Sequence, residues 1–120
     1  MKMSNVIVLF EAILKKDKIN DYLSIASSLK KNLENAEGFI RSERFSSLSV
    51  EGKLLSVSIW ESEESVKKWR NFSAHRIAQK HGRLHDYVDY SITVVTPLRT
   101  YTMTNREHAP SDSNIYLEVI

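Results

Sequence analysis

Val6-Ile7-Val8-Leu9-Phe10 is apolar at every position and largely β-branched, so a strand formed here has no face to give to water. Such a strand must be covered on both sides. After Glu11, Ala12-Ile13-Leu14 resumes the run, and Lys15-Lys16-Asp17 ends it. Asp17 is placed to cap a helix over residues 17–36. There Ile19, Tyr22, Leu23, Ala26, Leu29 and Leu33 recur at three- and four-residue spacing and form one apolar stripe. Gly38 sits where a helix C-terminus expects a left-handed residue.

A second strand is expected over 39–48, with Phe39, Arg41, Glu43 and Phe45 on one face, then a hairpin around Glu51-Gly52. In the third, over 54–60, Leu55, Val57 and Ile59 oppose Leu54, Ser56, Ser58 and Trp60. Ser62 is a good N-cap, and Glu63 and Glu64 favour the first turn of a second helix. That helix carries Val66, Trp69, Ser73 and Ile77 on or near its inner face. The poor helix formers Asn71-Phe72-Ser73 predict a bend, and Gly82 predicts its end. A fourth strand over 86–96 stops at Pro97.

The order β-α-β-β-α-β, in two halves offset by roughly fifty positions, defines an α+β, ferredoxin-like fold: an antiparallel sheet with both helices on one face. The helices cover one face, and the two-faced first and third strands need a cover on the other. A second copy of the same sheet is the simplest cover, which predicts a homodimer. Residues 1–101 form this domain and 102–120 a C-terminal arm. Within the arm, the apolar residues 115–120 predict an edge strand, on the same subunit or across the dimer.

The charge balance, 17 Lys and Arg against 15 Asp and Glu, gives no cationic field and argues against a nucleic-acid partner. The absence of cysteine excludes a disulfide scaffold, a thiolate nucleophile and a cysteine metal site. No apolar run approaches the roughly 20 residues of a membrane span, and the expectation is a cytoplasmic protein without a membrane partner. Aromatic, imidazole and guanidinium groups concentrate between Trp60 and Arg83, where a small-molecule site is expected. The His81, Arg83 and His85 group reads as cationic capping of a helix end, and no metal site is expected.

Three stretches, Gly38-Phe39-Ile40, Gly52-Lys53-Leu54-Leu55-Ser56-Val57-Ser58-Ile59-Trp60-Glu61-Ser62-Glu63-Glu64, and Trp69 followed by His75-Arg76, resemble the antibiotic biosynthesis monooxygenase family over residues 5–101. The resemblance implies a dimeric α/β barrel, two ferredoxin-like sheets face to face, with a ligand cavity in each subunit between sheet and helices. It implies a cofactor-free monooxygenase acting on a planar hydrophobic or phenolic metabolite. Two alternatives are a haem-binding or haem-degrading protein and a non-catalytic small-molecule-binding dimer. The haem-degrading relatives use a helix histidine, a first-strand asparagine and a helix tryptophan. Trp69 matches the tryptophan, but the iron-ligand position falls on Gln79 and the asparagine position near Phe10 or Glu11, and glutamine is a poor iron ligand.

For the oxygenase, His75 is the candidate base and Arg76 the candidate for holding a phenolate or stabilising superoxide. Trp69, Phe72, Gln79, Tyr22 and Ser58 are the candidate substrate contacts. Each has a plainer reading: Trp69 and Tyr22 as core, His75 satisfied by a backbone carbonyl, Arg76 paired with Glu43 or Asp89, Ser58 as an ordinary strand residue.

Overall fold

A computed structural model describes residues 4–118. In order, it contains β1 (Val6–Leu14), α1 (Ile19–Glu34), β2 (Phe39–Ser46), β3 (Lys53–Trp60), α2 (Glu63–Arg70), α3 (Ser73–His81), a π-helical turn (Gly82–Asp86), β4 (Tyr87–Val95) and α4 (Ser111–Tyr116). The strand order is β2-β3-β1-β4, every neighbour antiparallel. This is the ferredoxin-like arrangement expected from the pattern. Among the described residues no helix is long and apolar enough to cross a membrane.

The strand registers fix what each face carries. Phe10 pairs with Ser56 and Ile92, and Val8 with Ser58 and Val94, so these side chains share the helix-covered face. Leu9, Val57 and Thr93 share the other, where a Glu11–Lys53 ion pair at 3.6 Å interrupts the apolar surface. Phe39 differs from expectation. Phe39 pairs with Trp60 and Arg41 with Ile59, so Ile40 is an extra residue on β2. That bulge turns Phe39 away from the face of Arg41, Glu43 and Phe45. Its ring packs edge-on against Trp60, 5.3 Å between centroids.

Local chemistry accounts for the helix ends. Ser62 Oγ accepts from the Ser65 amide and starts α2 as predicted. Gly38 has φ 77°, and a Cβ there would meet Ser65 Oγ at 1.9 Å, so the turn into β2 needs glycine twice over. Asp17 does not cap α1, which begins at Ile19 with no side-chain cap. The bend falls at Asn71-Phe72, where Phe72 is extended and α3 restarts. Ile77, expected on the inner face, is consequently 71% exposed. Gly82 does not end the helical region but opens the π turn.

The arm departs from the predicted edge strand. Pro110, with φ −58°, precedes Ser111–Tyr116, and its carbonyl accepts the Asn114 amide, which opens a helical turn. This local bonding prevails over the β-forming tendency of Ile115 and Tyr116, both exposed. Val119 and Ile120 lie outside the described residues.

The buried core comprises Val6, Ala12, Leu14, Ile59, Trp60 and Val66; Val6, Trp60 and Val66 cluster together, with Leu33, Ala36, Phe39 and Trp69 packed on them. Neither α1 nor α3 buries a residue fully. The apolar stripe of α1 therefore stands off the sheet over much of its length, with Tyr22, Ile25, Ala26, Leu29 and Leu33 facing a cavity.

Candidate functional site

The cavity has a volume of about 240 Å³ and lies between α1, α3 and the helix-covered face of the sheet. Its floor is made by small residues, Ser42, Ser56 and Ser58, beside Val8 and Phe10. Serines in place of large apolar groups leave the helices unsupported at this point, and that is how the sequence makes room. Ser58 Oγ is engaged, accepting from Trp60 Nε1 at 2.9 Å.

At one end stand Trp60, Trp69 and His75. Trp69 lies 6.2 Å from the Trp60 ring and 5.1 Å from the His75 imidazole. Burial holds the His75 imidazole below its usual value, and the Arg70 backbone opposes that shift only in part. His75 Nδ1 is buried and has no partner of hydrogen-bonding geometry among the described residues. A neutral imidazole with a free nitrogen, beside an aromatic wall, can take a proton from a bound molecule.

At the other end β4 begins. Tyr87 packs against Phe10 at 5.6 Å, Tyr22 at 5.9 Å and Tyr90 at 5.3 Å. Burial pushes the Tyr87 phenol well above its usual range, reinforced by Tyr22, Asp86 and Tyr90 and opposed by Arg44. Tyr87 therefore keeps its proton at neutral pH. The ring sits against the π turn, where a Cβ on Gly82 would come within 2.5 Å of it. Asp86 closes the turn at 1% exposure and borders the cavity. Its Oδ2 lies 3.7 Å from His81 Nε2, and its Oδ1 has no hydrogen-bond partner among the described residues. The Arg44 guanidinium lies 5.5 Å from the Tyr22 ring centroid, on the cavity wall and without an ion-pair partner among the described residues.

Five of the seven residues singled out in the sequence line this cavity: His75, Trp69, Gln79, Tyr22 and Ser58. Tyr22 does so at the end away from Trp69, against Tyr87. Arg76 and Phe72 do not line it. The exposed Arg76 guanidinium bonds to Asn71 Oδ1, and Phe72 stacks on the outer side of Trp69 at 5.5 Å, 42% exposed. The break at Asn71-Phe72 is the reason, because it resets the helical phase. Arg44, Asp86 and Tyr87 escaped the sequence reading. For Arg44 a signal existed: Ser42 and Arg44 form the row of β2 opposite Glu43 and Phe45, and a lone cation on a helix-covered row calls for a reason. The expected group at the helix end is divided between tasks. His81 and His85 rings lie 4.8 Å apart, while Arg83 donates to the Tyr90 hydroxyl at 2.6 Å. Among the described residues no three His, Cys, Asp or Glu side chains gather as metal ligands.

A family model described as antibiotic biosynthesis monooxygenase matches residues 5–81. A jasmonate monooxygenase of Pyricularia oryzae is 40% identical over 87 residues, 72% of this chain. The chain spans 40% of that relative's length. Among solved structures, Rv0793 of Mycobacterium tuberculosis superposes with a TM-score of 0.74 at 14% identity, covering 82% of this chain and all of its own. SnoaB of Streptomyces nogalater, a cofactor-independent oxygenase, superposes at 0.70 and 9% identity, over 81% of this chain and 96% of its own. At such identities the structural likeness establishes the fold.

Proposed function

Since this chain belongs to the antibiotic biosynthesis monooxygenase family, we propose that it is a cofactor-independent oxygenase of a small, largely apolar metabolite, with His75 as the base. The observation that carries the reading is His75 Nδ1, buried and unpartnered on the cavity wall, on an imidazole that burial keeps neutral. A cavity of about 240 Å³ is smaller than the roughly 300–1,000 Å³ of a drug-sized site, which favours one or two rings over a haem or a tetracycle.

Oxygenation without an added reductant restricts the substrate. The substrate must supply all the electrons, so it carries a methylene made acidic by an adjacent carbonyl or phenolic system. His75 takes the proton, and the resulting carbanion gives one electron to O2. Superoxide and the substrate radical then combine into a C–O bond. Loss of water from that peroxide leaves a carbonyl, so CH2 and O2 become C=O and H2O. Trp69 stacks on the substrate plane, and the unpaired Arg44 receives an anionic substituent. The name of the jasmonate monooxygenase supports a small cyclic carboxylate in that role.

The sheet face away from the helices, with Phe45 and Val95 still exposed, supports a homodimer in which two such faces pack together. Oxygen uptake tests the activity, with 2-tetralone, whose benzylic methylene adjoins a ketone, and with jasmonate as candidate substrates. His75→Ala should lower the turnover rate by about 10²–10⁴-fold while the melting temperature holds. Undiminished uptake in that variant sinks the assignment of the base. A saturable hemin Soret shift lost in the same variant moves the protein to the haem class.

A further inference from the structure

His75 and Asp86 are eleven residues apart on one uninterrupted helical run, α3 and the π turn. Both side chains border the cavity, with Ala78 and Gln79 between them on its wall. The two Cα atoms are on the order of 15 Å apart at 1.5 Å per residue. Each end of this row carries a buried polar atom with no partner among the described residues, His75 Nδ1 and Asp86 Oδ1. Protein interiors rarely leave such atoms unmet, and a carboxylate oxygen at 1% exposure is among the least favourable to leave so. His81 Nε2, at 3.7 Å from Oδ2, lies beyond hydrogen-bonding reach and leaves Oδ1 without a donor.

We propose that Asp86 is a specificity-determining residue: Oδ1 accepts a hydrogen bond from a hydroxyl or N–H at the end of the ligand remote from His75, so the site selects elongated molecules with a polar group at each end. This deepens the cavity reading above and rests on it. The chemistry follows from the acceptor. Oδ1 is a carboxyl acceptor, so it takes a donor and offers nothing to a second carboxylate. An anionic group on the same ligand is therefore directed to Arg44, beside the Tyr22 ring at this end, and Oδ1 itself takes an alcohol, phenol or amine. Asp86 already lines the cavity.

Three naphthols test this by isothermal titration calorimetry: 2-naphthol, 2,6-dihydroxynaphthalene and 6-methoxy-2-naphthol. The diol should bind about tenfold or more tightly than 2-naphthol, as a hydrogen bond to a charged acceptor warrants. The methoxy compound, unable to donate at its second end, should bind no better than 2-naphthol. In Asp86→Leu the diol advantage should fall to about the twofold that two equivalent orientations allow, with 2-naphthol binding retained. The methoxy comparison uses wild-type protein and decides the matter even where Asp86→Leu fails to fold. A diol advantage of twofold or less in the wild type, or a tenfold advantage surviving in Asp86→Leu, overturns the assignment. Absence of binding by all three naphthols overturns it together with the cavity reading. A diol preference without any oxygen uptake leaves Asp86 in its role and removes the oxygenase reading.

Discussion

The two ends of the cavity are both closed by aromatic rings, but they are different kinds of structure. At the Val6–Trp60 end, α2 docks on the sheet, and Trp60, Val66 and Phe39 make a core of carbon. At the Leu14–Tyr87 end, where β1 meets the start of β4, the closure is a cluster of phenols beside a buried carboxyl group. One end carries the clustered core and the His75 imidazole; the other carries phenols and a buried carboxyl group. The two ends should fail in different ways.

The largest effect is expected from Trp60→Ala. Trp60 is 1% exposed, touches Phe39 and Trp69, and donates to Ser58. Its truncation removes the centre of a small core and should cost about 3–5 kcal/mol, a large fraction of the stability of a domain this size. Urea unfolding measures it. A loss under about 1 kcal/mol would mean that the Val6–Trp60 end is not the core.

At the opposite end, Gly82→Ala should do less to stability and more to binding. The φ of −58° at Gly82 is helical, so alanine gains up to about 1 kcal/mol of helix propensity. Against that, the new methyl meets Tyr87 Cζ at 2.5 Å, an overpacking worth roughly 1–3 kcal/mol. The net loss should be about 0–2 kcal/mol. Relief comes from Tyr87 swinging into the cavity beside it, so calorimetric affinity for the naphthols should drop at least tenfold. Unchanged affinity with lowered stability would show that the Tyr87 end is packing alone.

The same division governs how much the sequence disclosed. The two-faced β1, the Ser62 cap and the β-α-β-β-α-β order are local patterns, and local patterns determine strands, helices and their order. The Trp69 and His75 positions were legible because they follow a recognisable strand-to-helix run. Phase was not legible past Asn71. Asn71-Phe72-Ser73 announces the bend, but not its effect on phase: the break in the helix moves Arg76 and Ile77 outward and turns His75 and Gln79 to the cavity. The importance of Asp86 was hidden for a different reason. Asp86 reads as the first residue of the fourth strand, which says nothing of burial, and its 1% exposure comes from the π turn that the sequence does not announce. Arg44 was open to deduction from the alternation of β2 and was passed over in favour of the cation beside His75. In the arm, Ile115-Tyr116-Leu117 has strand composition, but Pro110 and its carbonyl set a helical turn first.

The smallest effect, and the one that separates the two ends most cleanly, is their response to pH. Burial lowers the His75 pKa below its usual 6.5. Above 6.5 the imidazole is neutral whether folded or unfolded, and stability does not depend on it. As pH falls below 6.5 the unfolded chain takes up a proton that the folded chain resists, and stability is lost until the folded pKa is reached. Tyr87 behaves in the opposite sense. Its folded pKa is raised above the usual 10.0, so the full contribution is present below pH 10 and is lost as pH rises past it, where the unfolded phenol ionises and the folded one does not. The difference in melting temperature between wild type and His75→Gln should therefore change below pH 6.5 and be flat above it. The difference between wild type and Tyr87→Phe should be flat through neutrality and change above pH 10. Turnover, which needs the neutral imidazole, should have an acid limb whose midpoint lies below 6.5 and vanishes with His75. A midpoint above 6.5 would place His75 beside a negative charge, and the base would then belong to a pair and not to a buried histidine alone.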